Sequence, residues 1–191
     1  WDFLMYNKYN NMPLNAAKGL YCALITDTGS FRYNSTTPEC HKMASHLLQL
    51  GVKPYEVYSN IYERREIPQI LLLASAINKI KFYSGGEFAG YVINQGMLDK
   101  VNAKHTDVEG FTDFVRSIKG VEVAFMILEQ RYDTRINLRS RGKYIIRDIA
   151  EHFGGGGHQL AAGATSKNIS IEKIETKIVD LLNRKKKRNG N

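Results

Sequence analysis

At 191 residues with 43% hydrophobic side chains, the chain can bury a real core as one large domain or two small ones, and its composition excludes the disordered classes. The net charge of +8 points to an acidic partner, yet five of those charges sit in one run, Arg184-Lys-Lys-Lys-Arg188, which reads as a solvated helix end; setting the run aside leaves a body at +3. No apolar run is long enough to span a bilayer, and Cys22 and Cys40 lack metal-ligand spacing, so the expected setting is a reducing cytoplasm with no membrane contact. The chain opens on Trp1-Asp2 rather than on Met, and further sequence upstream is expected.

In chain order, Leu14 to Ile25 reads as a buried helix that runs into Thr26-Asp27-Thr28-Gly29-Ser30-Phe31, an acidic residue trailed by glycine and small hydroxyls. A polar loop follows to Pro38, where Thr37-Pro38 biases the backbone away from helix. Met43, Leu47 and Leu50 then mark one face of a helix over Glu39 to Leu50, stopped by Gly51. Further helices are predicted from Pro54 to Tyr62 and from Pro68 to Ile77. The charged stretch Glu63-Arg-Arg-Glu66 between them is read as exposed surface. His41 and His46, five apart on a helix, do not share a face and are read as surface or packing histidines.

After Asn78 the pattern changes. Lys79 to Tyr83 and Phe88 to Ile93 flank Ser84-Gly-Gly-Glu87 as a hairpin with a glycine turn. An acidic segment through Asp107 and Glu109 leads into a helix reaching Ile118. Val121 to Glu129 and Thr134 to Arg139 read as two strands, Arg147 to Phe153 as a helix, and Ile169 to Leu182 as a final amphipathic helix. A helical first third followed by alternating sheet and helix places a domain boundary near residues 63–68.

The densest signal is Phe153-Gly-Gly-Gly-Gly-His158-Gln-Leu-Ala-Ala-Gly163. Four glycines weaken any helix or strand, so they suit a backbone that approaches a ligand closely and turns bare N–H groups toward an anion, with His158 beside them. A flexible loop between a helix and a strand is the plainer reading of the same residues.

Phe153 to His158 with Ala161-Ala162-Gly163 resembles the signature of the DHHA1 domain of the DHH phosphoesterase superfamily. Thr26 to Tyr33 with Thr36-Thr37-Pro38 is similar to the last metal-binding motif of that superfamily's catalytic domain, and Leu138-Arg139-Ser140-Arg141 to its Arg-Ser segment. Motif order and spacing suit the bifunctional oligoribonucleases and 3′-phosphoadenosine 5′-phosphate (pAp) phosphatases called nanoRNases. The resemblance implies an α/β chain in which residues 1–65 are the C-terminal part of a DHH catalytic domain with its linker helix. Residues 66–191 would be a DHHA1 substrate-binding domain, a mixed β-sheet flanked by helices.

What the resemblance implies chemically is a manganese-dependent phosphoesterase that degrades short RNA in the 3′-5′ direction and hydrolyses pAp, with a hydroxide activated by two Mn2+ ions attacking phosphorus. Asp27 is the matching metal ligand. One carboxylate cannot hold two ions, and the sequence has no Asp-His-His or Asp-His-x-Asp, so the chain is expected to supply mainly the substrate-binding half and to be nearly inactive alone. Arg139, Ser140 and His158 would grip a phosphate or the terminal nucleotide, with Gly155, Gly156 and Gly157 presenting backbone donors. The implied partner is short RNA or a nucleotide, with a homodimer left open. Two other readings stand beside it: a cyclic-dinucleotide phosphodiesterase of the same superfamily, and a non-catalytic RNA-binding module like the similar domain of alanyl-tRNA synthetases.

Overall fold

The computed structural model describes residues 12–189; Trp1 and Asp2, on which the upstream expectation rests, lie outside them. The chain divides into two compact units between Arg65 and Glu66. In the first unit are α1 (Leu14–Asp27), α2 (Pro38–Gln49) and α3 (Pro54–Tyr62). Proline opens both α2 and α3, where its missing N–H is no loss. Ala17, Tyr21 and Ile25 recur every fourth residue and pack with Leu47, Val52 and Val57 into a small core.

The end of α1 is a tight turn. The Thr28 hydroxyl donates to the Leu24 carbonyl at 2.6 Å and accepts the Phe31 amide at 3.1 Å, while Gly29, Ser30 and Phe31 all take left-handed backbone. Glycine adopts that conformation freely; Ser30 and Phe31 hold it at a cost of about 1 kcal/mol each. A Cβ on Gly29 would come within 2.5 Å of the Tyr33 ring, so a side chain there would have to displace that ring.

The second unit begins with α4 (Ile67–Ile77) and the hairpin of β1 (Lys81–Tyr83) and β2 (Phe88–Ile93), paired through Tyr83 and Phe88 around a left-handed Ser84-Gly85-Gly86 turn. Next comes α5 (Gln95–Val101), absent from the sequence-based expectations. The Asn94 side chain caps it by accepting the Met97 amide at 3.0 Å. A 3₁₀ turn over His105–Val108 precedes α6 (Phe111–Arg116), which ends before the predicted Ile118. Then follow β3 (Val123–Glu129), β4 (Thr134–Ser140), α7 (Arg147–His152), β5 (Gly156–His158), β6 (Ala161–Ser166) and α8 (Ile171–Asn189).

The six strands form one sheet in the order β1-β2-β3-β4-β6-β5, in which β2 and β3 run parallel and every other pair antiparallel. This is the mixed sheet flanked by helices that the resemblance implies. One face buries Phe88, Phe125, Ile136 and Leu138 under α7 and α8, through residues such as Ile149 and Ile178. The opposite face buries Tyr91, Met126 and Leu128 under α4, α5 and α6, through Leu72, Leu98 and Phe111. That second core contains no residue of β4, β5 or β6; over β4, α6 contributes Asp113, which reaches Arg139.

The basic run ends α8, with Arg184, Lys187 and Arg188 exposed as expected of a solvated helix end. Two of its lysines turn back onto the domain: Lys185 pairs with Asp148 at 2.6 Å, and Lys186 with Glu87 at 2.7 Å and the Ser84 carbonyl at 2.9 Å. Glu87 also accepts hydrogen bonds from Lys143 and, at 2.8 Å, from the Tyr144 hydroxyl. The long aliphatic stems of lysine let them reach such anchors from a helix surface.

Candidate functional site

The face of β4, β6 and β5 that lies outside the second core brings several polar side chains together. In register across three strands, Arg139 pairs with Ala161 and Ala161 with His158, while Asn137 pairs with Gly163 and Gly163 with Gly156. Paired residues on neighbouring strands share a face, and residues two apart on one strand do too. Arg135, Asn137, Arg139 and His158 therefore rise from one face, above a floor of glycine and alanine. Arg135 and His158 are exposed, Asn137 and Arg139 half-buried. Along this face lies a shallow depression of about 430 Å³, bordered by Arg135, Asn137, Gly154, Gly155, Gly163 and Thr165.

The glycine run does several jobs at once. Gly154 is the left-handed residue that closes α7, its amide donating to Glu151; the Gly155 amide donates to Ala150, and both bonds are 2.9 Å. That pair of bonds satisfies carbonyls otherwise orphaned at a helix end. A Cβ on Gly155 would overlap the Gly163 carbonyl oxygen and lie 2.5 Å from the Ala164 Cβ. Gly156, Gly157 and His158 then form β5, hydrogen-bonded to β6 through the two-residue turn Gln159-Leu160.

Two expectations are corrected here. The run is a helix cap and a strand rather than a loose cradle, and Gly155 has no bare N–H for an anion because Ala150 already takes it. Ser140 does not grip a ligand from the Arg139 face: it is 4% exposed, lies on the opposite face of β4, and its Oγ accepts the Gly142 amide at 3.1 Å to fix the turn.

Arg139 is held by two contacts, Nε to Asp113 Oδ2 at 3.2 Å and Nη1 to the Leu138 carbonyl at 3.0 Å. Arg141 points its guanidinium to the end of α6, donating to the carbonyls of Arg116 at 3.0 Å and Ile118 at 3.2 Å. It is a helix cap. Arg141→Ala is expected to cost about 1 kcal/mol of stability, read from a urea midpoint, and to leave phosphate-ester affinity unchanged.

Asp27 belongs to the first unit, exposed at the end of α1, and its carbonyl accepts the Ser35 hydroxyl at 3.3 Å. His41 stacks on Phe31 with ring centroids 4.9 Å apart, a packing contact. Among the described residues no group of three or more His, Cys, Asp or Glu could hold a metal ion, so the donors present do not fit the two-ion centre that the resemblance implies. Sequence reasoning missed Arg135, Asn137 and Asp113. The alternation of polar residues at 135, 137 and 139 was the available signal for the first two.

The chain belongs to the DHHA1 domain family, whose model matches residues 88–187. It is similar to the bifunctional oligoribonuclease and PAP phosphatase NrnA of Thermus thermophilus, 28% identical over 167 residues covering 87% of this chain and 50% of that protein. The protein of the same name from Bacillus subtilis is 25% identical over 86% of this chain and 52% of its own length. Among solved structures, an exopolyphosphatase-related protein from Bacteroides fragilis superposes with a TM-score of 0.86 at 27% identity, over 93% of this chain and 52% of that one. The chain thus spans about half the length of the relatives it matches. None of the helices among the described residues is long and apolar enough to cross a membrane.

Proposed function

We propose that the open face of β4, β6 and β5 binds the phosphate and terminal nucleotide of short oligoribonucleotides and of pAp, as the substrate-binding part of a phosphoesterase. The observation that carries this reading is the register of Arg139, Ala161 and His158. It sets Arg139 and His158 on one face with the small Ala161 between them, which leaves room there for a phosphate. Arginine offers a planar fork matched to phosphate oxygens, and the histidine ring adds a second donor or a stacking surface for a base. Metal-assisted hydrolysis, with manganese as the expected ion, belongs to the proposal for the whole protein; of its ligands these residues supply Asp27 at most.

The similarity to NrnA proteins supports the choice of substrate class over cyclic dinucleotides. Calorimetric titration of the chain with pAp, the dinucleotide pApA and cyclic di-AMP tests it. Binding of pAp and pApA is expected to weaken about tenfold in Arg139→Ala and in His158→Ala, the loss of one charge-assisted hydrogen bond in each. Equal affinity of both variants and the parent would remove the site from this face. Preference for cyclic di-AMP would move the assignment to the cyclic-dinucleotide class.

A further inference from the structure

Asp113 stands between two arginines. Its Oδ2 accepts Arg139 Nε and its Oδ1 accepts Arg116 Nη2, each at 3.2 Å. Asp113 and Arg116 lie three apart on α6, so that pair is set by the helix itself, while the pair with Arg139 reaches across to β4. The far oxygen of Asp113 is tied down on its own helix, and the near one is thereby kept in place for Arg139.

Stability does not account for this arrangement. The Asp113 and Arg139 side chains are 41% and 34% exposed, and ion pairs at such exposure contribute little. Orientation does account for it. An arginine side chain has four rotatable bonds, and on an open sheet face its guanidinium would otherwise sample many directions. Asp113 takes Nε and the Leu138 carbonyl takes Nη1, so the plane of the fork is fixed from two sides, and no protein acceptor among the described residues is bonded to Nη2. Arg116 meets Asp113 through Nη2, while its Nε is buried with no hydrogen-bond partner.

We infer that Asp113 is a positioning residue: it holds the Arg139 guanidinium in the orientation that meets a substrate phosphate, and acts on the ligand only through that arginine. This rests on the assignment of Arg139 to phosphate binding. A fork fixed before the ligand arrives loses less side-chain freedom on binding, and the gain appears as affinity. The Asp113 carboxylate also sets the charge of the pair, so an incoming phosphate meets a guanidinium whose side edge is neutralised and whose end is not.

The experiment is a double-mutant cycle read by calorimetry with pAp as the probe. Asp113→Asn keeps the shape but not the charge, and is expected to weaken pAp binding about tenfold with an unchanged urea midpoint. In an Arg139→Lys background, where no planar fork exists to orient, the same change is expected to alter affinity less than twofold. Asp113→Glu, which keeps the carboxylate, is expected to recover most of the loss. Equal weakening by Asp113→Asn in both backgrounds, or none in either, overturns the inference. Parent-like affinity in Arg139→Lys and Arg139→Ala would instead sink the phosphate-site reading beneath it. Loss in Arg139→Ala with no effect of Asp113→Asn would sink the positioning role alone.

Discussion

Gly155→Ala is expected to destabilise the second unit by about 3 kcal/mol or more, the scale of a backbone clash inside a packed layer. The added methyl would overlap the Gly163 carbonyl oxygen and press on Ala164 at 2.5 Å, and neither is the end of a flexible side chain that could swing away. Relief requires moving either β6, which β4 holds by six residue pairs, or the end of α7, which the Gly154 and Gly155 amides close. Both movements would displace His158 from its register with Ala161. Gly156→Ala is the matched control: nothing lies within 4 Å of the Cβ it would carry, and its backbone is not left-handed. Urea unfolding of both variants checks the point, and a Gly155→Ala midpoint equal to that of Gly156→Ala would mean the clash is absorbed elsewhere.

The second large effect is expected at Glu87. Burial pushes this carboxyl up, but hydrogen bonds from Lys143, Lys186 and Tyr144 outweigh burial and hold it at about 2. An unfolded glutamate titrates near 4.3. Between those values the unfolded chain binds more protons at this position than the folded one, so the contribution of Glu87 is complete above about pH 5 and is lost as the pH falls toward 2. Glu87→Ala would leave two ammonium groups and a phenol without their shared acceptor. With Lys143 and Lys186 52% and 43% exposed, and so able to regain water, the expected loss is about 2 kcal/mol, below that of a fully buried pair. Glu87→Gln should flatten the acid limb of stability between pH 5 and 2, measured as urea midpoints across that interval. A parent-like limb in that variant would assign acid sensitivity to other carboxylates.

Much of the sheet was legible because its strands advertise themselves. Phe88 to Ile93 and Val123 to Glu129 are apolar runs of strand length, and the glycine turn between β1 and β2 has few other uses. The helix α5 escaped notice because seven residues are too few to display a period, and its clearest mark is a single capping asparagine. The glycine run was conspicuous, yet its bonding was not, since local sequence cannot say that Ala150 will take the Gly155 amide or that β6 will pair with residues 156–158. His158 was marked by the glycine run beside it, and Arg139 was reached through resemblance. Asp113 was not, because its importance arises only when a short helix sets it across from β4. The open face itself is a tertiary fact: Arg135 is exposed and Asn137 half-buried because the apolar core under α4, α5 and α6 takes no residue from β4, β5 or β6, and no window of sequence records where a neighbouring layer stops.

The contacts that fasten α8 to the first hairpin join the two extremes of the domain. Ser84 bonds Asn183, and Lys186 returns to the Ser84 carbonyl, across 99 and 102 residues of chain. Contacts of such sequence separation form late in folding, because a long loop must close before they offer any return. On a ribosome, where a chain emerges from its N-terminal side, the β1-β2 turn would be made early and stay unfastened until α8 had been synthesised. Through that interval Glu87 lacks its Lys186 partner, and the sheet beneath it lacks the helix that covers Phe125 and Ile136. The last helix is then the step that seals the domain.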